Sequence, residues 1–229
     1  MHIPSEIGDV SIVLLGNFNP RIFHPSWFVR SGLFTEKEGE VAQIDVIHPT
    51  ISQFRMEWLA VRVEQNRFTA ETQEAPFVRL ADLVVRTFKE FLIHTPIGML
   101  GINRNVHFSV GDEATRNRIG KMLAPHEPWG EWAKQIEGSV PEKRGGVRSL
   151  SMEQRDLDDR KKGHLLIKVE PSAKLDPQIG IFAAVNDHYE IDDPNNPVGC
   201  GEIIETLEKQ FDKSIQRSEW LIDRVMVLK

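Results

Sequence analysis

The sequence lacks the features that mark secreted and membrane proteins. It contains one cysteine, Cys200, among 229 residues, so no disulfide can form within the chain and nothing indicates an oxidising compartment. The longest apolar runs, residues 12–15 and 180–185, are too short to span a bilayer. Residues 1–10 contain no basic segment of the kind that begins a signal peptide. Composition therefore predicts a cytoplasmic protein that does not bind membranes.

The chain also lacks the common motifs for phosphates, metals and covalent catalysis. It has neither a Gly-rich loop with Lys and Ser or Thr nor a strand-linked three-glycine fingerprint. None of its eight histidines has the sequence spacing of a zinc site. Cys200 precedes a predicted helix, where a thiol can be activated, but a lone buried cysteine is the commoner case and no His–Asp partner can be named. We therefore expect no cofactor and no metal ion, and an enzyme is the less favoured class.

Positive charge is scarce overall, because the net charge is −6 and the isoelectric point is near 5.8. A general nucleic-acid binder needs clustered Lys and Arg to neutralise phosphates. The one basic region is the loop that contains Lys143, Arg144, Arg148, Arg160, Lys161 and Lys162. Three nearby aspartates, at 156, 158 and 159, offset its second half. Nucleic-acid binding through this loop is therefore the less favoured alternative to a solvated loop.

Hydrophobic periodicity predicts an α+β fold. Apolar runs or alternating apolar residues predict strands, and apolar residues at helical spacing between capping signals predict helices. The predicted strands are 11–18, 41–47, 58–63, 67–72, 99–110, 147–155, 163–170 and 178–185, and the main predicted helices are 76–92, 113–123 and 201–228. Residues 65–66 predict a hairpin in which Asn66 takes a left-handed conformation, and residues 186–197 predict an acidic turn region.

The order of these elements suggests two halves, residues 1–137 and 138–229, integrated into one domain. Each half contains strands followed by a long amphipathic helix, which predicts a largely antiparallel sheet packed by two such helices. Helices do not separate successive strands as a doubly wound nucleotide-binding fold requires.

Arg104 is the most unusual residue of the predicted strands. It interrupts an otherwise apolar strand face, and an arginine in a core needs an anionic partner. That partner is either an acidic side chain of the protein, which we favour, or a bound anion. His107 and His164 also lie in predicted strands, so that Arg104, His107 and His164 are the candidate ligand-binding residues.

The connector at residues 125–146 contains Trp129 and Trp132 among several prolines and glycines. Large aromatic side chains dominate the energetics of protein interfaces. The two tryptophans are therefore a candidate interaction surface, and packing over the edge of the core is the equal alternative.

Four segments, residues 58–63, 77–91, 101–105 and 214–225, resemble a sporadically distributed family of uncharacterised bacterial proteins of similar layout. The family's usual Gly-Leu-Arg-Tyr-Ile-Asn segment is here Gly101-Ile102-Asn103-Arg104-Asn105, so the motif is only partly kept. The resemblance implies a mobile antiviral defence gene as the setting and implies no chemistry.

Two functions remain as hypotheses. The first is a non-catalytic interaction, sensor or adaptor protein that acts with a protein partner or as a homo-oligomer. The second is an enzyme that acts on a small anionic or nucleotide-like ligand in a groove near Arg104.

Overall fold

The chain folds around one nine-stranded sheet. The computed structural model describes residues 5–136, 138, 140 and 145–229. Their strands are β1 (Ile7–Gly16), β2 (Gln43–His48), β3 (Ile51–Met56), β4 (Leu59–Glu64), β5 (Arg67–Thr72), β6 (Ile97–Ser109), β7 (Leu150–Gln154), β8 (Gly163–Pro171) and β9 (Gly180–Glu190). The strand order is β2-β3-β4-β5-β1-β6-β9-β8-β7, and every neighbouring pair is antiparallel. A mixed fold with a large antiparallel sheet is therefore confirmed.

The helices are α1 (Pro25–Arg30), α2 (Glu36–Val41), α3 (Val78–Arg86), α4 (Glu113–Leu123), α5 (Glu131–Ile136) and α6 (Gly201–Met226). A π-helical turn, Thr87–Phe91, extends α3. Asp112 caps α4 as its sequence predicts, because its Oδ1 accepts the Thr115 N–H at 2.7 Å. Helix α2 was not predicted, although Thr35 and Glu38 form a reciprocal capping box at its start.

Alternating side chains give the sheet two different faces. On the covered face, Val10, Ile12 and Leu14 of β1 are buried in one hydrophobic cluster with apolar side chains of α1, α3 and α6. A second cluster joins Val106 and Phe108 of β6, with apolar residues of β8 and β9, to Ile119 of α4 and to the C-terminal end of α6. The helices thus contribute their buried apolar side chains to one side of the sheet.

The opposite side of the central strands, here called the polar face, carries Asp9, Ser11, Asn103, Asn105 and Asn186. Neighbouring residues of a strand point to opposite faces, and these five alternate with core residues such as Ile12 and Ile102. Asn103, Asn105 and Asn186 are partly exposed. The polar face therefore presents hydrogen-bonding groups rather than a second apolar layer.

An aromatic cluster fills the covered face beneath β5. The fully buried Phe88 ring meets Phe68 of β5 edge to face at 5.2 Å, and it lies 6.0 Å from Phe18 and 6.2 Å from Phe23. Such edge-to-face contacts add to the energy of apolar burial. The cluster ties the turn after α3 to the chain between β1 and α1.

Two local predictions were wrong. The β4–β5 hairpin exists, but Asn66 is not left-handed, because no described residue other than glycine has a positive φ. Its turn is fixed instead by N–H groups of Phe18 and Gly16, which donate to the Gln65 and Asn66 carbonyls at 2.8 and 3.2 Å.

The second wrong prediction is the first part of the turn region at 186–197, because β9 continues through Glu190; residues 191–197 do form turns and irregular chain. Asn186 and Asp187 are turn-forming residue types, but here both have partners on neighbouring elements. Asn186 donates to Asn103 of β6, and Asp187 accepts from Arg160 and Arg217. These contacts outweigh the local preference for a turn.

Candidate functional site

Arg104 lies on the covered face, where the protein itself supplies its partners. Nη1 donates to the carbonyls of Asp9 and Asn105 at 3.2 and 3.0 Å. Nε lies 3.8 Å from Glu219 Oε1 on α6, and the guanidinium sits 5.1 Å from the Phe77 ring centroid. Burial lowers the pKa of Arg104, and the carboxylate of Glu219 opposes that shift. The adjoining cavity, of about 10 Å³, has no room for a ligand beyond a water molecule.

His107 lies on the other side of the same strand, packed under the loop after β8. Its Nδ1 is 2.8 Å from Ser172 Oγ, and its ring centroid is 4.6 Å from that of Phe182. Ser172 Oγ already accepts the N–H groups of Lys174 and Leu175, so its hydroxyl donates to His107 Nδ1. Burial, with a further contribution from Lys174, lowers the pKa of His107. His107 is therefore a neutral, packed imidazole.

His164 lies far from His107 on the polar-face side of β8. It stands directly opposite His188 of β9, whereas His107 stands opposite Phe182. Six residues separate Phe182 from His188, which is about 20 Å along a strand. The sheet therefore brings His164 together with His188, and it does not assemble Arg104, His107 and His164 into one groove.

The His164 ring centroid is 4.7 Å from that of His188. His188 Nε2 lies 3.0 Å from Glu190 Oε1, and His164 Nδ1 lies 3.8 Å from Glu153 Oε1 on β7. Sequence reasoning missed this group, because His188 and Glu190 fell in a segment predicted to be turns. No sequence pattern marked it, because the burial of Asp187 and Tyr189 on either side of His188 follows only from the structure.

A row of polar side chains crosses the centre of the polar face. Asn186 Nδ2 donates to Asn103 Oδ1 at 2.5 Å, and Asn103 Nδ2 is 3.2 Å from Ser11 Oγ. Asn105 Nδ2 donates to Asp9 Oδ1 at 2.7 Å. Because each amide bridges neighbouring strands, the row fixes the register of β1, β6 and β9.

A buried ion network links β9 to α6 on the covered face. Asp187, with no exposed surface, accepts from Arg160 Nη1 at 2.5 Å and from Arg217 Nη1 at 3.1 Å. Asp159 also bonds both guanidinium groups, and the Tyr189 hydroxyl donates to Asp187 at 3.3 Å. Burial alone would raise the pKa of Asp159, but the hydrogen bonds from the two arginines lower it to about 2. Burial also raises the pKa of the Tyr189 hydroxyl.

One residue of the predicted basic surface, Arg160, is buried in this network. The Arg160 side chain is 4 % exposed, so it cannot contact a phosphate backbone. Lys161 lies 4.0 Å from the Asp192 carboxylate, and Lys162 donates to the Asp192 carbonyl. Arg148 is exposed. The other two residues of the predicted basic surface, Lys143 and Arg144, lie outside the described residues.

The two connector tryptophans form an exposed aromatic pair. Trp129 is 58 % exposed and Trp132 is 54 % exposed, and their rings meet edge to face at 5.3 Å. Trp129 ends a short 3-10 turn, and Trp132 lies in α5. Gly130 joins these two elements with φ of 54°, which a side chain would disfavour. The sequence left open whether the two tryptophans are exposed or pack over the edge of the core. Their side chains are exposed.

A cavity of about 850 Å³ lies between α4, β8 and the segment that leads to β7. Its volume is in the range of small-molecule sites. Arg116, Lys121, His126, Arg148 and Glu170 are the ionisable residues among its lining. His126 also connects the cavity to the tryptophans, because its carbonyl accepts the Trp129 N–H at 3.0 Å. No pattern in the sequence predicts a cavity whose walls lie so far apart in the chain.

Cys200 lies immediately before α6 and is buried. Its Sγ is within 3.3–3.8 Å of three backbone carbonyls. Burial raises the pKa of the Cys200 thiol, which is the opposite of the shift that activates a nucleophile. The geometry therefore agrees with a structural cysteine.

In the described part of the chain, no helix is both long enough and apolar enough to cross a membrane. No protein-family model and no curated protein matches the sequence, so inferences about function depend on the geometry described above.

Proposed function

We propose that the protein is a non-catalytic binding protein, a sensor or adaptor that acts with a protein partner through the surface around Trp129 and Trp132. The exposed tryptophan pair is the observation that carries this proposal. The two adjoining indole rings are each more than half exposed, so most of their surface is open to a partner. Tryptophan is also the residue type most enriched at the energetic centre of protein interfaces.

The surroundings of the pair favour a protein over a small molecule as its occupant. Glu127, Glu131 and Lys134 lie within five residues of the pair in the chain and supply charge at its margin. An apolar centre within a charged rim is the usual anatomy of a protein interface. Lys134 already pairs with Glu131 at 2.8 Å, which leaves the rim net acidic and favours a partner with basic residues around an apolar pocket.

The cavity beside α4 supports a sensor role. It is lined by one face of α4 and by His126, and the chain reaches Trp129 three residues later. A ligand that moved α4 or His126 would therefore also displace the tryptophan pair. Bacterial antiviral defence, which the family resemblance implies, is the setting we propose for such a module.

Replacement of both tryptophans by alanine is expected to abolish capture of the partner. Loss of a hot-spot tryptophan weakens binding by at least about 2 kcal/mol, or roughly thirtyfold. The tagged protein, W129A/W132A and the matched control Trp220→Ala are each used to capture proteins from cells that encode them, followed by quantitative mass spectrometry. Trp220 is 60 % exposed on α6, so the control removes an equally accessible indole.

The expected result is one partner retained by the wild type and W220A and lost by W129A/W132A. Light scattering of the purified variants separates a second copy of this chain from a different protein. Identical capture by all three proteins, or capture of nothing specific, contradicts the proposal.

The second candidate is an enzyme or receptor for a small anionic, nucleotide-like ligand, placed in the cavity rather than near Arg104. Cavity size and the three cationic lining residues Arg116, Lys121 and Arg148 favour it.

We expect ATP or AMP at millimolar concentration to raise the melting temperature, and Arg148→Gln to remove most of that shift. Arg155→Gln, exposed on the chain after β7 and outside the cavity lining, is the control. No shift with either nucleotide or with inorganic phosphate contradicts this candidate.

We also propose an organisation in two halves, each with strands followed by a long helix. The order of elements supports it. Strand β1 is followed by short helices, then by a meander of strands whose last member, β5, pairs with β1, and then by α3. Strand β6 is likewise followed by helices, by a meander whose last member, β9, pairs with β6, and by α6. This order favours a division before β6, earlier than the predicted division into 1–137 and 138–229. The nine-stranded sheet contains strands from both halves.

A further inference from the structure

Two histidines and a carboxylate converge on one side of β8 and β9. His164 and His188 are directly opposite in the ladder, and Glu190 lies two residues beyond His188, so that all three side chains lie on the same face. One ligand atom from each lies within 4.8 Å of the others. Strand register, rather than a sequence motif, creates this group.

We propose that His164, His188 and Glu190 form a binding site for a divalent transition-metal ion of the zinc class. Imidazole nitrogen and carboxylate oxygen are ligands that Zn²⁺ prefers, at bond lengths of about 2.0–2.2 Å. Ligand atoms bound to one tetrahedral ion are then roughly 3.3 Å apart, as follows from those bond lengths. We expect rotation of the side chains about their own bonds to close the present separations, of up to 4.8 Å, to that value.

The group is sheltered but open to solvent. The side chains of His164, His188 and Glu190 are 31 %, 15 % and 28 % exposed, so an ion can reach them from solvent.

Charged neighbours complete the site. Glu153 Oε1, 3.8 Å from His164 Nδ1, is placed to orient that ring or to supply a fourth ligand, as carboxylates beside metal-bound histidines do. Arg155 pairs with the other oxygen of Glu153 at 2.9 Å. Arg160 bonds the His188 carbonyl, but its charge is balanced by Asp159 and Asp187. Two carboxylates therefore face a bound cation.

A bound ion would join β8 to β9 near the edge of the sheet, since β7 is the one strand beyond β8 among the described residues. The proposal is independent of the partner surface, because neither tryptophan touches this group. Metal binding and partner capture can therefore fail separately, and each variant set serves as the control for the other.

The test is titration of the full chain, first stripped with EDTA and dialysed, with ZnCl₂ in an isothermal calorimeter. We expect one equivalent to bind with a micromolar or tighter dissociation constant, and MgCl₂, a harder ion that prefers oxygen ligands, to give no heat. His164→Ala and Glu190→Gln are each expected to weaken Zn²⁺ binding at least tenfold. His48→Ala removes an exposed histidine of β2 whose ring is hydrogen-bonded to Thr50, and it is expected to bind as the wild type does.

Circular dichroism is used to check that each variant is folded. If His164→Ala does not fold, the comparison uses Glu190→Gln, which keeps the shape of the side chain. The visible spectrum of Co²⁺ in the same protein gives a second readout, with the intense bands of a low-symmetry site expected only when the three ligands are intact. Wild-type binding no tighter than that of the ligand variants, or equal loss in His48→Ala, overturns the proposal.

Discussion

Replacing Asp187 by asparagine is expected to lower the free energy of unfolding by about 3–5 kcal/mol. Asp187 is fully buried, and its carboxylate holds Arg160 and Arg217 at 2.5 and 3.1 Å. The amide keeps the shape of the side chain but leaves two guanidinium groups with Asp159 as their remaining carboxylate. An uncompensated buried charge costs far more than the ion pair contributes. Urea denaturation followed by circular dichroism measures the change.

The matched control is Asp192→Asn. Asp192 is 76 % exposed and pairs with Lys161 at 4.0 Å, so its substitution is expected to change the free energy of unfolding by less than about 0.5 kcal/mol. Equal unfolding midpoints for the two variants would show that the buried network does not hold β9 to α6 in the way the distances indicate.

The strands that sequence predicts best are those with one clear apolar face. Leu59, Val61 and Val63 are buried and Ala60 and Arg62 are exposed, because β4 has helices on one side only. Strand β3 was missed because its buried residues include Ser52, whose hydroxyl is satisfied by the Phe23 carbonyl. A pattern of hydrophobicity cannot reveal a polar residue whose partner lies 29 positions away.

The candidate sites show the same limit. Arg104 was recognised from its own strand, and its acidic partner Glu219 belongs to a helix more than a hundred residues later. His164 was recognised, but pairing with His188 depends on a register that single-strand patterns do not specify. Exposure of Trp129 and Trp132 was also undecidable, since an aromatic residue in a Pro- and Gly-rich connector fits either a surface or a core edge.

Phe88→Ala is expected to lower the free energy of unfolding by about 3–5 kcal/mol, through loss of apolar burial and creation of a cavity. The Phe88 ring is fully buried between Phe18, Phe23 and Phe68. These neighbours come from two separate segments of the chain, so they cannot collapse into the space without moving β5 or the chain before α1. The midpoint and slope of urea unfolding give the value.

Phe91→Ala is the control, because Phe91 lies in the same π-helical turn and is 43 % exposed. It touches Trp27 edge to face at 6.0 Å, and its loss is expected to cost less than about 1.5 kcal/mol, the upper value for one such aromatic pair. Both variants place alanine in the same π-helical turn, so helix propensity affects them equally. The difference between their free energies of unfolding therefore measures the effect of burial. A Phe88→Ala protein as stable as Phe91→Ala would mean that the aromatic cluster repacks, and that the turn after α3 is not fixed to the sheet by its rings.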